Sequence, residues 1–238
     1  MDFSKWNKEK LHEEFKEAKP FSHLVLDHFL DDTHVNALLE EIKEYDPIYF
    51  PAEDVVHDTA MKSNKRCLTD SRMFGPIARA FVEQSRTKEM IAFLENITGI
   101  DNLEADPYLF GGGIHRTTKG GHLAIHADYN VHPFTKKHRR LNVILYLNPS
   151  WKPEDNGACE LWDKQMTQCE TKIAPIMNRL LLFRVTDDGF HGHPEPWQSD
   201  DPRYSIALYY FTKDRPEEEK SKPHMALWQH FLEKSAQK

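Results

Sequence analysis

A chain of 238 residues, 39% hydrophobic and 29% charged, has enough apolar side chains for one substantial core, and its length suits a single domain. A net charge of −7 argues against a general binder of nucleic acid or anionic membranes, which would carry a basic excess. No apolar run approaches the roughly 18 residues that span a bilayer, the stretch MDFSKWNKEKLHEEF is too charged for a secretory signal, and Cys67, Cys159 and Cys169 lack C-x-x-C spacing, which points to free thiols in a reducing cytoplasm.

Residues 4–18 are polar with a sparse apolar stripe (Leu11, Phe15, Ala18) and predict a surface helix ended by Pro20. Phe21 to Leu30 concentrates apolar residues and predicts a buried strand. Asp31-Asp32-Thr33 then offers an N-cap to a helix in which Val35, Leu38, Leu39 and Ile42 recur at helical spacing. Pro47 to Phe74 has no sustained period and is expected to be a long loop, a feature that in a compact domain is usually functional. Gly75-Pro76 opens one further helix, proline being favoured in the first turn, and Gly99 closes it after Ile91, Leu94 and Ile97. Residues 1–102 are thus expected to form a helix-rich support, with 47–74 as a lid.

From Leu103 to Phe211 short strands alternate with turn signals, which predicts an antiparallel barrel or sandwich. Gly111, Gly112, Gly113, Gly120 and Gly121 bracket Ile114 to Lys119 and predict a kinked strand. No G-x-x-x-x-G-K-[ST] spacing supports a phosphate cradle there. Lys136-Lys137-His138-Arg139-Arg140 is expected to be a solvated basic loop. It feeds the strand RLNVILYLN, whose one face carries Leu141, Val143, Leu145 and Leu147 while the other carries Asn142, Ile144 and Tyr146, a pattern that suits a wall lining a ligand cavity. Further strands are expected at Cys159–Trp162, Arg179–Val185 and Arg203–Phe211, then a charged linker over 212–223 and a final helix striped by Met225, Trp228 and Leu232.

In a strand His126 and Asp128 point to the same side, Ala127 to the other. One such triplet is expected by chance in a chain this rich in histidine and aspartate, so context decides. An imidazole, a carboxylate and a distant second histidine make a facial set that suits non-haem Fe(II) and leaves coordination positions open. His191 supplies that second imidazole, with His193 two residues on as its rival. A site using a dicarboxylate co-substrate also needs a buried cation with hydroxyl donors beside it; Arg203 and Ser205 share a face of their strand, and Tyr146 faces the cavity from another.

In GGHLAIHADYN, RRLNVILYLNPSW, GACELWD, NRLLLF, FHGHPEPW and RYSIALYYFT, in that order, residues 20–216 resemble the 2-oxoglutarate/Fe(II)-dependent dioxygenases of the prolyl-4-hydroxylase-like branch. The resemblance implies a mainly β fold in one domain over 1–238. A double-stranded β-helix (jelly-roll) core over 103–212 would be buttressed by N-terminal helices and by a C-terminal helix within 213–238. His126, Asp128 and His191 would be the catalytic iron ligands. Arg203 would pair with the far carboxylate of 2-oxoglutarate, helped by Ser205 and Tyr146, and His115 lies on the strand where relatives often carry a co-substrate-holding tyrosine. Substrate contacts are expected from Tyr129, Asn130, His132, Trp197, Arg66 and Arg72.

The implied activity couples oxidative decarboxylation of 2-oxoglutarate to succinate and CO2 with hydroxylation of a C–H bond. It uses Fe(II) and O2, with ascorbate as reductant. The expected substrate is a prolyl residue or another amino acid, peptide or small molecule, with no nucleic acid and no membrane as partner. A non-catalytic jelly-roll sensor or scaffold is the alternative, disfavoured by the completeness of the residue set. A halogenase needs a small residue at the carboxylate position, and Asp128 argues against it.

Overall fold

The computed structural model describes residues 1–51 and 61–228. Helix α1 (Lys8–Glu17) is capped by Asn7, whose side chain accepts from the Lys10 amide, and it turns Leu11 and Phe15 into the core. Strand β1 (His23–Leu26) follows, and Asp31 caps helix α2 (Asp32–Tyr49) by accepting from the His34 amide. Helix α2 buries the expected Val35, Leu38, Leu39 and Ile42 but runs through Pro47 to Tyr49, past the point where the periodicity fades.

The stretch read as a loop over 47–74 is therefore corrected at both ends. Strand β2 (Lys62–Leu68) lies in it, followed by a short 3-10 turn over Ser71–Met73, while residues 52–60 are outside the described residues. Strand β2 gave no apolar alternation because its one buried residue is a lysine, Lys65. The single helix expected after Gly75 is two, α3 (Pro76–Gln84) and α4 (Lys88–Thr98). Between them the Ser85 hydroxyl bonds the Val82 carbonyl (2.6 Å), and Thr87 caps α4 through the Met90 amide. Short hydroxyl side chains that bond the backbone favour such a break over a continuous helix.

The remaining strands are β3 (Glu104–Ala105), β4 (Gly113–Ala127), β5 (His138–Tyr146), β6 (Cys159–Trp162), β7 (Cys169–Ile173), β8 (Arg179–Arg184), β9 (His191–His193), β10 (Arg203–Thr212) and β11 (Leu227–Trp228). They pair antiparallel in the order β1-β8-β5-β10-β4-β9-β6-β7, with β2 and β11 also on β4 and β3 on β10, and the sheet curls into a jelly-roll core. Strand β4 serves both halves. Gly113–Thr117 pair with β10, whereas Leu123 and His126 pair with β9. In between, Gly120 takes φ +78°, a left-handed conformation that favours glycine, and β4 bulges against β2. A second irregularity, between Leu123 and His126 against β9, leaves His126 directly opposite His191.

The two faces of β5 divide the molecule. Leu141, Val143, Leu145 and Leu147 join Leu180, Leu182, Ile206 and Leu208 and the helices in the main core. The opposite face, carrying Asn142, Ile144 and Tyr146, lines a cavity. The final helix is not what the structure shows at its start. Leu227 and Trp228 form β11 and pair with Ala127 and His126, and Leu232 lies outside the described residues. A tether explains the difference: Asn130 accepts from the His224 amide (2.9 Å) and donates to Ser221 Oγ (2.8 Å) and the Lys222 carbonyl (3.0 Å), which holds the chain extended beside β4.

Candidate metal centre and its pocket

Strand pairing brings His126 and His191 face to face, and Asp128 follows the last residue of β4. Their ligating atoms all lie within 4.8 Å of one another, and all three residues are buried. His126 Nε2 is 3.6 Å from Asp128 Oδ1, and His191 Nε2 is 3.4 Å from Asp128 Oδ2. Ligands about 2.1 Å from a common ion sit roughly 3 to 3.5 Å apart, so this spacing is that of a coordination triad. Each ring is fixed through its other nitrogen: His126 Nδ1 bonds the Ala124 carbonyl and His191 Nδ1 that of Gly189, both at 2.9 Å. With Nδ1–H so engaged, each Nε2 presents a lone pair inward.

The charges are set for the same purpose. Burial pushes the His191 imidazole down to about 4, a shift only partly opposed by Asp128, so the ring is neutral at pH 7. Burial disfavours an ionised Asp128, but Arg139 and then His191 outweigh it and hold the carboxyl well below the usual carboxylate range. Asn142 Nδ2 donates to Asp128 Oδ2 at 2.6 Å, Arg139 Nη2 lies 3.1 Å from the same oxygen, and Arg139 Nε donates to Asn142 Oδ1 at 2.9 Å. The guanidinium is itself sandwiched over the rings of Tyr209 (3.5 Å) and Tyr129 (4.5 Å). Of the basic run 136–140, Lys136 is exposed as expected of a solvated loop, but Arg139 and Arg140 are buried and Arg140 reaches Thr212 and Glu219.

A cavity of about 80 Å³ extends from the triad along β10. Cross-strand register lays Tyr146, Ser205, His115 and Cys67 in one row over β5, β10, β4 and β2. Arg203, Thr117 and Lys65 form the next row. Arg203 is buried, its Nε donates to the Gly157 carbonyl (2.9 Å), and its guanidinium lies 5.1 Å from the Tyr146 ring. Lys65 Nζ is 3.0 Å from His115 Nδ1 and 3.5 Å from Cys67 Sγ, while His115 Nε2 bonds the Gly111 carbonyl (3.1 Å). Both ring nitrogens of buried His193 lack a hydrogen-bond partner among the described residues, and the ring lines the same cavity. Cys159 closes the wall beside Tyr146, its thiol pushed up to about 12 by burial.

Of the sequence-derived candidates, the structure gathers His126, Asp128, His191, Arg203, Ser205, Tyr146 and His115 around one cavity. The six expected substrate contacts do not line it. The Tyr129 hydroxyl bonds the Phe110 carbonyl, Asn130 holds the C-terminal segment, and His132 is buried 3.2 Å from Asp106. Trp197 packs behind Arg203, with its Nε1 on the Asp201 carbonyl. Arg66 reaches the Pro51 carbonyl and Arg72 chelates its neighbour Asp70. Two neighbours of the site, Arg139 and Lys65, escaped sequence reasoning: Arg139 was hidden in a basic run and Lys65 in a strand without apolar pattern, whereas Asn142 was already placed on the cavity face of β5 but without a role.

Residues 112–211 match the profile of the 2OG-Fe(II) oxygenase superfamily. That segment is similar to 2OG-Fe(II) oxygenase domains, and it contains His126, Asp128, His191 and Arg203. A mouse (Mus musculus) prolyl 3-hydroxylase, OGFOD1, is 32% identical over 77 residues, which is 31% of this chain and 14% of that protein. A Trichoplax adhaerens prolyl hydroxylase, solved with a hypoxia-inducible-factor peptide, superposes with a TM-score of 0.60 at 20% identity over 86% of this chain and 90% of that one. HygX of Streptomyces hygroscopicus, solved with nickel, 2-oxoglutarate and hygromycin B, superposes with a TM-score of 0.58 at 13% identity over 90% and 96%. These two likenesses establish a shared fold.

Proposed function

We propose that this chain is a 2-oxoglutarate- and Fe(II)-dependent oxygenase. It would couple oxidative decarboxylation of 2-oxoglutarate to succinate and CO2 with hydroxylation of a substrate C–H bond. The observation that carries this reading is the convergence of two lone-pair-presenting imidazoles and one ionised carboxylate beside a cavity that also holds a buried arginine. The donor set fits a divalent iron with open positions.

In this reading His126 Nε2, His191 Nε2 and the Asp128 carboxylate hold the metal, which when bound supplies the redox chemistry that activates O2. Asn142 and Arg139 keep Asp128 ionised and oriented. Arg203 has its Nε committed to Gly157, so its two terminal nitrogens are left to grip a distal carboxylate bidentately. A hydroxyl from Ser205 or Tyr146 would donate a hydrogen bond to that carboxylate, and His115 would flank it. Leu123, Ile144 and Ala207 on the cavity walls exclude water. A proline-bearing peptide is the first substrate class to assay, supported by the prolyl hydroxylases among the relatives, with amino-acid and small-molecule pools next. Ascorbate would keep the iron ferrous. A reducing cytoplasm is supported by three free cysteines, and among the described residues no helix is long and apolar enough to cross a membrane.

The test incubates the Fe(II)-loaded chain with 2-oxoglutarate, ascorbate and each substrate pool, and measures succinate and product mass. One pool should yield a product bearing one added oxygen, with succinate in step. Binding of 2-oxoglutarate without turnover in every pool would instead favour the sensor reading.

A further inference from the structure

Among the described residues, the cavity wall holds more positive charge than its anions balance. Arg203 and Lys65 are both buried, Lys65 at 6% exposure, and both line the wall away from Asp128. They occupy one row, on either side of Thr117, so their Cα atoms are about 10 Å apart across two strand spacings. Arg203 faces a neutral tyrosine and a carbonyl oxygen. Lys65 faces the His115 Nδ1 nitrogen at 3.0 Å and the Cys67 sulfur at 3.5 Å. Even a Cys67 thiolate would offset one cation and leave the other. Buried charges left unpaired cost several kcal/mol, so an anion arriving from outside would stabilise a wall of this kind. Two buried polar side chains point the same way: among the described residues, Thr117 Oγ1 and both nitrogens of His193 have no hydrogen-bond partner.

Geometry narrows the anion. Lys65 leans out of its own row to reach His115 Nδ1, which brings its ammonium beside the row of Ser205 and Tyr146. A carboxylate accepts about four hydrogen bonds. Bidentate Arg203 would fill two, a hydroxyl from Ser205 or Tyr146 a third, and one is left. We propose that Lys65 fills it, so that the distal carboxylate of the co-substrate is held between two cations on opposite strands. Lys65 is then the residue that makes the pocket selective for dicarboxylate 2-oxo acids over monocarboxylate ones. The inference rests on the oxygenase reading of the site and adds to it a residue from β2, outside the matched family segment.

The test is calorimetric titration of the full chain loaded with Zn(II), using 2-oxoglutarate and 2-oxopentanoate, in which a methyl replaces the distal carboxylate. Wild type should prefer 2-oxoglutarate strongly. Lys65→Met should shrink that preference by about tenfold to a hundredfold, as expected for a charge-assisted hydrogen bond, with 2-oxopentanoate affinity unchanged within about twofold. Lys65→Arg should retain most of the preference, and so should Cys67→Ser, which separates an anchor from a counter-ion of the thiol. Lys65→Gln replaces the methionine variant if that one does not fold. Equal weakening of both ligands, an unchanged preference in the neutral variants, or a loss in Cys67→Ser matching that of Lys65→Met overturns the inference and leaves the oxygenase reading standing. A wild-type chain that binds neither 2-oxo acid overturns both.

Discussion

Replacing Asn142 by leucine tests whether the carboxylate of the triad is held for a metal. Asn142 is buried and does two things: its amide donates to Asp128 Oδ2 at 2.6 Å and its oxygen accepts from Arg139 Nε at 2.9 Å. Leucine fills a similar volume but removes both. A hydrogen bond to a charged group contributes about 1.5–3 kcal/mol, and an orphaned buried donor costs about 1–3 kcal/mol. The apolar side chain regains part of this, so the metal-free variant should lose about 2–4 kcal/mol of stability. Its Zn(II) affinity should fall about 10–100-fold, the usual loss when the partner that orients a ligand is removed. By linkage, the stability deficit measured at saturating Zn(II) must exceed the metal-free deficit by about 1.4–2.7 kcal/mol, the free-energy equivalent of that affinity loss. Urea unfolding with and without Zn(II), set beside a competition titration with a chelating indicator, measures all three quantities. A folded Asn142→Leu variant with Zn(II) affinity within twofold of wild type would refute the argument.

Other outcomes follow from single residues. Gly157 has φ +67°, and a Cβ there would come within 2.6 Å of the Trp197 ring and 3.2 Å of Arg203 Cδ; Gly157→Ala should cost about 1–3 kcal/mol and weaken 2-oxoglutarate binding by displacing the arginine, read by unfolding and calorimetry. Surrounding protein raises the Cys67 thiol, but His115 and Lys65 outweigh that and bring it down to about 5, and the residue is exposed. Since the thiolate is the nucleophile, alkylation of Cys67 should rise through about pH 5 and level off near neutrality, while buried Cys159 stays inert; mass spectrometry of iodoacetamide-treated protein checks this. Asn130→Ala removes three hydrogen bonds to residues 221–224 and should free β11 from β4, seen as faster proteolysis in 221–228 with the core intact.

The parts of the site that sequence alone made legible share a physical cause. His126 with Asp128, and Arg203 with Ser205, sit on strands whose period of two fixes which residues share a face, and Tyr146 and Asn142 emerge from the same alternation on β5. An antiparallel barrel or sandwich was likewise legible because its strands carry apolar faces separated by turn residues, and the family resemblance narrowed it to a jelly-roll. What stayed hidden depends on partners distant in the chain. Strand β2 has a lysine where an apolar residue would announce burial, and only its pairing with β4 makes it a strand. Arg139 reads as solvated until the fold puts Asp128 and two tyrosine rings around it. Trp228 fits a helical stripe with Met225, but Asn130 holds that segment extended, and its ring packs 4.7 Å from that of His126. The expected substrate contacts fall outside the cavity lining for a related reason: Tyr129, Asn130 and His132 lie beyond the end of β4, where they contact the Phe110 carbonyl, the C-terminal segment and Asp106.

The central claim is that His126, Asp128 and His191 form an iron site working on 2-oxoglutarate, and succinate release tests it most directly. The Fe(II)-loaded wild-type chain should convert 2-oxoglutarate to succinate in an O2-dependent reaction that a chelator stops, and Asp128→Ala should lose it while remaining folded. Full succinate production by Asp128→Ala, or none by a wild-type chain shown to bind both metal and 2-oxoglutarate, would contradict the account.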